Sequence, residues 1–156
     1  MALLSRAQED RPPPRRCAPL ADVLAPDMRV LVVEDDPIQA LLLLSFLERL
    51  GVGVQHVVDG MQAVAAARRD GFALVLMDVQ MPQVDGREAT RMIRAWEQVA
   101  QRARLPIVAV TAGAMQEECE GCMAAGMDAV LLKPFTVHAL RQVLMRHARP
   151  LAHPAT

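Results

Sequence analysis

The chain has 156 residues, a length that suits one domain of ordinary size with a short tail. Hydrophobic residues make up 53% of it and charged residues 22%, so the chain can bury a core and is not disordered throughout. The formal net charge of −1 gives no bulk attraction to nucleic acid or to an anionic membrane. Three Phe, one Trp and no Tyr are too few aromatic residues for a platform on which bases could stack.

The basic residues are unevenly chosen, because 16 of the 17 are arginine and only Lys133 is lysine. A preference for arginine of this extent is a coding bias. The position that keeps a lysine is therefore a candidate for a role that needs a compact ammonium group rather than a planar guanidinium group.

The three cysteines, at positions 17, 119 and 122, do not form a disulfide framework. Cys119 and Cys122 have C-x-x-C spacing, but no second pair accompanies them and they fall within a predicted helix, which favours a structural role over a zinc or redox site. The first ten residues lack the continuous apolar segment of a secretory signal, and no run of about 18 apolar residues could span a bilayer. We therefore expect a reduced, cytoplasmic protein that binds neither membrane nor nucleic acid.

Residues 1–27 contain five of the eleven prolines and no periodic pattern, which predicts a flexible tail or linker. Regular alternation of short apolar runs and helical patterns follows, so we expect one domain over residues 28–147 and a short tail over 148–156. Nine residues after His147 are too few for a DNA-binding output domain. The predicted strands are Val30–Val33, Val52–Val58, Ala73–Met77, Ile107–Val110 and Ala129–Leu132. The predicted helices are Pro37–Leu50, Gly60–Arg69, Arg87–Trp96 with some residues beyond it, Met115–Ala125 and Val137–Arg146.

Five β-α units in strict alternation predict a flavodoxin-like (βα)5 fold, with a doubly wound, five-stranded parallel sheet between two layers of helices. Several strands are apolar on both faces, as burial between two layers requires. Within the first helix, Leu41–Leu44 predicts a wide buried face. The four histidines are scattered along the sequence, and we expect no chemistry from them.

Polar residues follow four of the five predicted strands. Glu34, Asp35 and Asp36 come after the first strand, and Asp78 after the third. Thr111 and Lys133 follow the fourth and fifth. Because the carboxyl ends of parallel strands meet at one edge of the sheet, these groups are predicted to converge there.

Carboxylates this close repel one another unless a cation lies among them, and hard oxygen ligands favour Mg²⁺ over zinc. A hydroxyl and an ammonium group facing that cation could hold the oxygens of a phosphoryl group. Asp78 is then placed to attack phosphorus and to form an acyl phosphate. Asp36, directly before Pro37, is predicted to cap the first helix.

The segments LVVEDDP, LVLMDVQMPQVDG, VAVTAGA and VLLKPF together resemble the receiver domain of two-component response regulators. The resemblance covers about residues 28–147, and the segment from Thr111 to Phe135 is most similar to receivers of hybrid sensor kinases and phosphorelays. It implies that Asp78 is the phosphoacceptor and that phosphohistidine on a sensor kinase or a histidine phosphotransfer domain is the donor. A downstream protein target is also implied, and a dimer formed on phosphorylation is left open.

The resemblance also assigns the remaining site residues. It implies that Asp35 is a direct Mg²⁺ ligand, that Glu34 holds the ion partly through water, and that the backbone carbonyl of Gln80 is a third protein ligand. Thr111 and Lys133 correspond to the switch hydroxyl and the phosphoryl-binding lysine. The Lys133-Pro134 peptide bond is expected to be cis, with Pro134 the cis residue.

Position 130 departs from the family pattern, in which a tyrosine or phenylalanine often lies three residues before the lysine. Val130 cannot swing as an aromatic ring does, so another readout of phosphorylation is expected. A phosphorylation-independent interaction module is the alternative function that this valine favours. An aspartate-nucleophile phosphatase is a second alternative, although Gln80 stands where such enzymes carry a general acid. We expect no enzyme activity beyond self-phosphorylation and slow autodephosphorylation.

Overall fold

The computed structural model of the protein describes residues 28–69, 71–113 and 115–150. The predicted tail over residues 1–27, with Cys17, lies outside the described residues, as do residues 151–156 of the predicted C-terminal tail.

Five strands and five helices alternate along the described chain. The strands are β1 (Arg29–Val33), β2 (Gly53–Val57), β3 (Leu74–Asp78), β4 (Ile107–Thr111) and β5 (Ala129–Leu132). The helices are α1 (Pro37–Arg49), α2 (Gly60–Ala67), α3 (Gly86–Ala100), α4 (Gln116–Ala124) and α5 (Val137–His147).

All strand pairs are parallel, and the strand order is β2-β1-β3-β4-β5. The predicted (βα)5 fold is therefore confirmed. The predicted bounds differ from the observed ones by a few residues. Strand β2 begins at Gly53 instead of Val52, and α2 ends at Ala67 instead of Arg69. Helix α3 begins at Gly86 instead of Arg87, because Asp85 caps it. Such shifts are expected where caps and turns, rather than apolar periodicity, set the ends of an element.

The core has two parts, one on each face of the sheet, because successive side chains of a strand point to opposite faces. Val30 and Val32 of β1 pack in the part that includes residues of α1 and α5, whereas Leu31 and Val33 pack in the part that includes residues of α2, α3 and α4. Helices α1 and α5 thus cover one face, and α2, α3 and α4 cover the other. Most of β1, β3 and β4 is fully buried, as the apolar runs predict.

Side chains cap the N-termini of four helices. Asp36, Asp59, Asp85 and Thr136 accept hydrogen bonds from backbone N–H groups in the first turns of α1, α2, α3 and α5. The prediction that Asp36 caps the first helix is confirmed, with Ile38 N–H donating to its Oδ1 at 2.9 Å. Helix α4 differs, since Met115 at its N-cap provides no side-chain hydrogen bond.

Candidate functional site

The candidate site lies at the edge of the sheet where β1, β3, β4 and β5 end. The strand register brings these ends level: Val33 pairs with Met77, and Thr111 at the end of β4 pairs with Leu132 at the end of β5. Asp78 is the last residue of β3, and Lys133 directly follows β5. The topology therefore collects on one edge the polar residues that are spread over a hundred positions of the sequence.

Three of the four acidic residues form a cluster. One carboxylate oxygen each of Glu34, Asp35 and Asp78 lies within 4.8 Å of the others. Asp78 and Glu34 are 6% and 2% exposed, whereas Asp35 is exposed. A set of hard oxygen donors at this spacing, with one side open to water, fits Mg²⁺, which binds through a few carboxylates and keeps several waters. The fourth acid, Asp36, is occupied with capping α1.

Asp78 is the site carboxylate whose protonation is most affected by its surroundings. Its pKa is raised from 3.8 to about 7, chiefly by burial and further by a hydrogen bond with Glu34 and the negative charge of Glu34. The charge of Lys133 and the Gln80 N–H, which donates to Oδ1 of Asp78 at 3.2 Å, act in the opposite direction. The raised pKa shows that Lys133 and the Gln80 N–H only partly offset the effects that favour the protonated form of Asp78.

Gln80 lies two residues past Asp78 and its side chain is exposed. Its described contact with Asp78 is made by the backbone N–H. The role of its backbone carbonyl as a metal ligand stays a prediction.

Lys133 lies among three acceptors. Its Nζ is 3.2 Å from Oε2 of Glu34 and 3.8 Å from Oδ1 of Asp78, and it also donates to the side-chain oxygen of Gln39. The other carboxylate oxygen of Glu34 accepts from the backbone N–H of Asp36 at 3.2 Å. Glu34 is therefore buried with both of its oxygens paired, which a buried carboxylate requires.

The Thr111 hydroxyl is 1% exposed and takes part in two hydrogen bonds. It donates to Oε1 of Glu118 in α4 at 2.9 Å and accepts from the Gly113 N–H at 3.0 Å. The predicted switch hydroxyl is thus linked to the first turn of α4.

Val130 lies in β5 opposite Ala109 of β4 and is partly buried. It packs against the part of the core that includes residues of α2, α3 and α4, so its side chain already has apolar neighbours in this conformation. The Lys133-Pro134 peptide bond, in which Pro134 is the second residue, is cis.

Three residues near the site were not anticipated from the sequence. Gln39 contacts Lys133, and Glu118 accepts from Thr111. His56, from which no chemistry was expected, has its Nε2 2.8 Å from the backbone carbonyl of Glu34. Gln39 and Glu118 each fall in the first turn of a helix that follows a site residue, and this position is the signal that could have identified them.

One face of α1 is more exposed than its sequence predicts. Leu41–Leu44 was expected to form a wide buried face, but Leu41 and Leu42 are 69% and 52% exposed and only Leu43 is buried. Ile38, one turn before Leu42, is 79% exposed. We call Ile38, Leu41 and Leu42 the α1 apolar surface. Leu42 also lines a cavity of about 330 Å³ that reaches Glu34, Lys133, Pro134 and Phe135, so this surface adjoins the site.

Cys119 and Cys122 both lie in α4, as predicted, and both are free thiols. Cys122 is buried, and burial raises the pKa of its thiol. Its buried position is consistent with a structural role. Among the described residues, no helix combines the length and the apolar character that crossing a membrane requires.

A doubly wound sheet with the order β2-β1-β3-β4-β5, and with acids, a hydroxyl and a lysine at its carboxyl edge, defines the class of receiver-like signalling domains. A family model described as the response regulator receiver domain matches residues 30–145, and the chain belongs to that family. The predicted resemblance is therefore confirmed.

Individual proteins agree with this assignment. The chain is 48% identical over 118 residues to the sensor protein GacS of Pseudomonas syringae pv. syringae; the match covers 76% of this chain and 13% of that protein. The receiver domain of the sensor histidine kinase PA1611 from Pseudomonas aeruginosa PAO1, solved with a magnesium ion in its active-site cleft, is 42% identical with a TM-score of 0.70. That match covers 77% of this chain and 96% of the solved one.

A third match is to a complex. The receiver domain of the Saccharomyces cerevisiae response regulator Ssk1 was solved together with the histidine phosphotransfer protein Ypd1. The match has 30% identity and a TM-score of 0.74, and it covers 78% of this chain and 89% of the solved one. The chain thus resembles receivers found both within sensor kinases and in partnership with phosphotransfer proteins.

Proposed function

We propose that the protein is a phosphoacceptor receiver of a phosphorelay, in which Asp78 takes a phosphoryl group from phosphohistidine and thereby changes the protein's contacts with its partners. The observation that supports this most directly is that Nζ of Lys133 lies within 4 Å of carboxylate oxygens of both Glu34 and Asp78 at one edge of the sheet. Nothing in a plain turn or helix cap requires a buried aspartate beside a buried glutamate.

The proposed reaction is an in-line displacement at phosphorus. An Asp78 carboxylate oxygen forms the new P–O bond as the P–N bond to the donor histidine breaks, and the electron pair of that bond goes to the imidazole nitrogen. Lys133, 3.8 Å from Asp78, is placed to offset the negative charge on the transferred group. Thr111, at the end of the neighbouring strand β4, would donate to a phosphoryl oxygen.

Glu34, Asp35 and Asp78 are the residues that would hold Mg²⁺, together with the carbonyl of Gln80. When bound, the ion neutralises charge on the carboxylates and on the phosphoryl oxygens. The raised pKa of Asp78 supports the need for a metal ion, because with Lys133 as the nearby cation the nucleophile is still partly protonated near pH 7.

The proposed phosphodonor is a sensor histidine kinase or a histidine phosphotransfer domain. Two observations support it. Receivers similar to this chain occur in sensor kinases and, in one case, in a complex with a phosphotransfer protein. The α1 apolar surface lies beside the site, where a partner that delivers a phosphohistidine would have to dock. A cytoplasmic location, where such donors act, belongs to the same proposal.

The test is incubation with acetyl phosphate and Mg²⁺, followed by intact mass measurement. We expect one added phosphoryl mass on the wild-type chain, none on Asp78→Asn, and none when a chelator removes the metal. Asp59→Asn is the matched control, because asparagine still caps α2 and the site is untouched. Equal labelling of Asp78→Asn and the wild type would overturn the assignment.

The same experiment separates the alternatives. Rapid turnover of acetyl phosphate would indicate a phosphatase, whereas we propose only slow autodephosphorylation. The side chain at the general-acid position, Gln80, has no titratable proton to donate. A partner that binds wild type and Asp78→Asn equally, with or without phosphorylation, would favour the phosphorylation-independent module.

A further inference from the structure

We propose that Glu118 is a positioning residue for the switch: its carboxylate holds the Thr111 hydroxyl while Asp78 is unphosphorylated, and it loses that hydroxyl to the phosphoryl group when Asp78 is phosphorylated. This inference depends on the proposed function, and it names the structural link that carries the signal away from the site. Helix α4, rather than an aromatic side chain, would be the element that responds.

The link consists of one proton with two competing acceptors. A threonine hydroxyl has a single O–H, and that of Thr111 is donated to Oε1 of Glu118 at 2.9 Å. The hydroxyl cannot donate to a phosphoryl oxygen at the same time. Phosphorylation therefore leaves Glu118 without its donor and places further negative charge near its carboxylate, so both effects act in the same direction.

The position of the Glu118 carboxylate depends on a glycine. A Cβ on Gly113 would lie 1.4 Å from Oε2 of Glu118, so the carboxylate occupies space that any other residue at 113 would fill. The Gly113 N–H also donates to the Thr111 hydroxyl. The Thr111–Glu118 hydrogen bond therefore depends on Gly113, which leaves space for the carboxylate and donates its N–H to the Thr111 hydroxyl.

Helix α4 is the helix that such a link can move most easily. It has nine residues, no side-chain cap, and Cys122 as its one buried residue. By contrast, α1, α2, α3 and α5 each have a capping side chain. Because little of α4 is buried, moving this helix on the domain costs little free energy. The loss of one hydrogen bond to a charged group can therefore change the position that α4 prefers.

Val130 explains why this link would matter here. Val130 is already partly buried against the part of the core that includes Cys122 of α4, and it is too short to change place as an aromatic ring does. The Thr111–Glu118 hydrogen bond provides a connection between the site and α4 that needs no aromatic residue.

The test is titration of the full chain with beryllofluoride, an acyl-phosphate mimic, at a fixed Mg²⁺ concentration, following the amide resonances of residues 116–124. Removing the competing acceptor frees Thr111, so Glu118→Ala should tighten beryllofluoride binding about tenfold, within the usual range of coupling between sites. Glu118→Gln, which keeps an acceptor but not the charge, should lie between Glu118→Ala and the wild type. Glu117→Ala, an exposed acid on the same turn, should match the wild type.

A double-mutant cycle separates positioning from a general charge effect. In a Thr111→Val background, Glu118→Ala should tighten beryllofluoride binding by much less than tenfold, since the hydroxyl for which the acceptors compete is gone and only the charge effect is left. Gly113→Ala displaces the Glu118 carboxylate without removing it, so it should also tighten beryllofluoride binding. This variant replaces Glu118→Ala in the test if Glu118→Ala does not fold.

The outcomes are distinct. Wild-type affinity in Glu118→Ala, or the same change with and without the Thr111 hydroxyl, would overturn this inference alone. Failure of the wild-type chain to bind beryllofluoride with Mg²⁺ would overturn the proposed function, and this inference with it.

Discussion

Nζ of Lys133 lies 3.2 Å from Oε2 of Glu34, closer than it lies to Asp78. The pair joins the residue after β1 to the residue after β5, 99 positions apart. Because Glu34 is buried and its other oxygen accepts from the Asp36 N–H, the ammonium is held at the site before any phosphoryl group arrives. The one lysine of the chain is thus held by a carboxylate at the place where the proposed chemistry needs a small cation.

Lys133→Arg should leave the fold intact but uncouple phosphorylation from conformational change. A guanidinium group is larger and planar, and it does not fit the space in which the ammonium lies 3.2 Å from Glu34 and 3.8 Å from Asp78. We expect a melting temperature within a few degrees of the wild type and a loss of most of the beryllofluoride-induced shifts in α4. Arg91→Lys, on the exposed face of α3, is a control that should change neither. Full α4 shifts in Lys133→Arg would contradict the expectation.

The stability of the metal-free protein should fall as the pH rises from about 4 to about 7. Asp78 has a pKa of about 7 in the folded chain and near 3.8 when unfolded, so over this range the folded state binds more protons than the unfolded state. The free energy of unfolding then decreases with pH. The free energy of unfolding of Asp78→Asn should exceed that of the wild type by about 1–3 kcal/mol at pH 8 and should equal it at pH 4.

Urea unfolding at the two pH values, with and without Mg²⁺, measures this effect. The ion should stabilise the wild type at pH 8 by binding the ionised cluster of the folded state, and it should stabilise Asp78→Asn much less. Parallel pH profiles for the two proteins would show that the Asp78 carboxyl titrates normally.

Gly86→Ala should destabilise the protein and disturb Asp78. An added Cβ would lie 2.3 Å from the Asp78 backbone oxygen and 2.9 Å from Cγ of Met77, and backbone at that distance must move. We expect a loss of about 1–3 kcal/mol in the free energy of unfolding and slower labelling by acetyl phosphate.

Gly53→Ala is the matched control for Gly86→Ala. Its added Cβ would lie 3.3 Å from the flexible Arg29 side chain and 3.4 Å from the Met28 oxygen, so the loss should be well under 1 kcal/mol. Equal urea midpoints for the two alanine variants would argue against close packing of Gly86 on Asp78.

Leu41→Asp should impair phosphotransfer from a protein donor but not from acetyl phosphate. A charge in the middle of the α1 apolar surface disfavours burial of that surface under a partner, whereas a small donor does not need the surface. With the histidine phosphotransfer protein that transfers fastest to the wild type, we expect kcat/KM to fall at least about tenfold. Val99→Asp, at an 87% exposed apolar position of α3, is the control. Equal losses with both donors would indicate damage to the site rather than to docking.

The fold was predictable because the apolar runs of β1, β3 and β4 are long enough to be buried on both faces, and helix-capping residues such as Asp36 and Asp59 mark the helix starts. The acids, Thr111 and Lys133 were predictable for a related reason: in a parallel sheet, whatever follows each strand lies at the same edge.

Other features depend on side-chain packing, which no local pattern encodes. The exposure of Leu41 and Leu42 is one case, since four consecutive leucines give no indication of which of them turn away from the sheet. Glu118 is another. Its contact with Thr111 depends on the space left by Gly113, and a glycine in a loop gives no sign of what fills that space.

The two helical layers have a consequence for assembly. Helix α1, with its apolar surface, covers one face of the sheet, and α4, linked to Thr111, covers the opposite face. A donor seated on α1 and a reader seated on α4 would therefore not compete for the same area. The domain could belong to a ternary complex in which the reader is already in place when the donor arrives, so that a signal passes without exchange of partners.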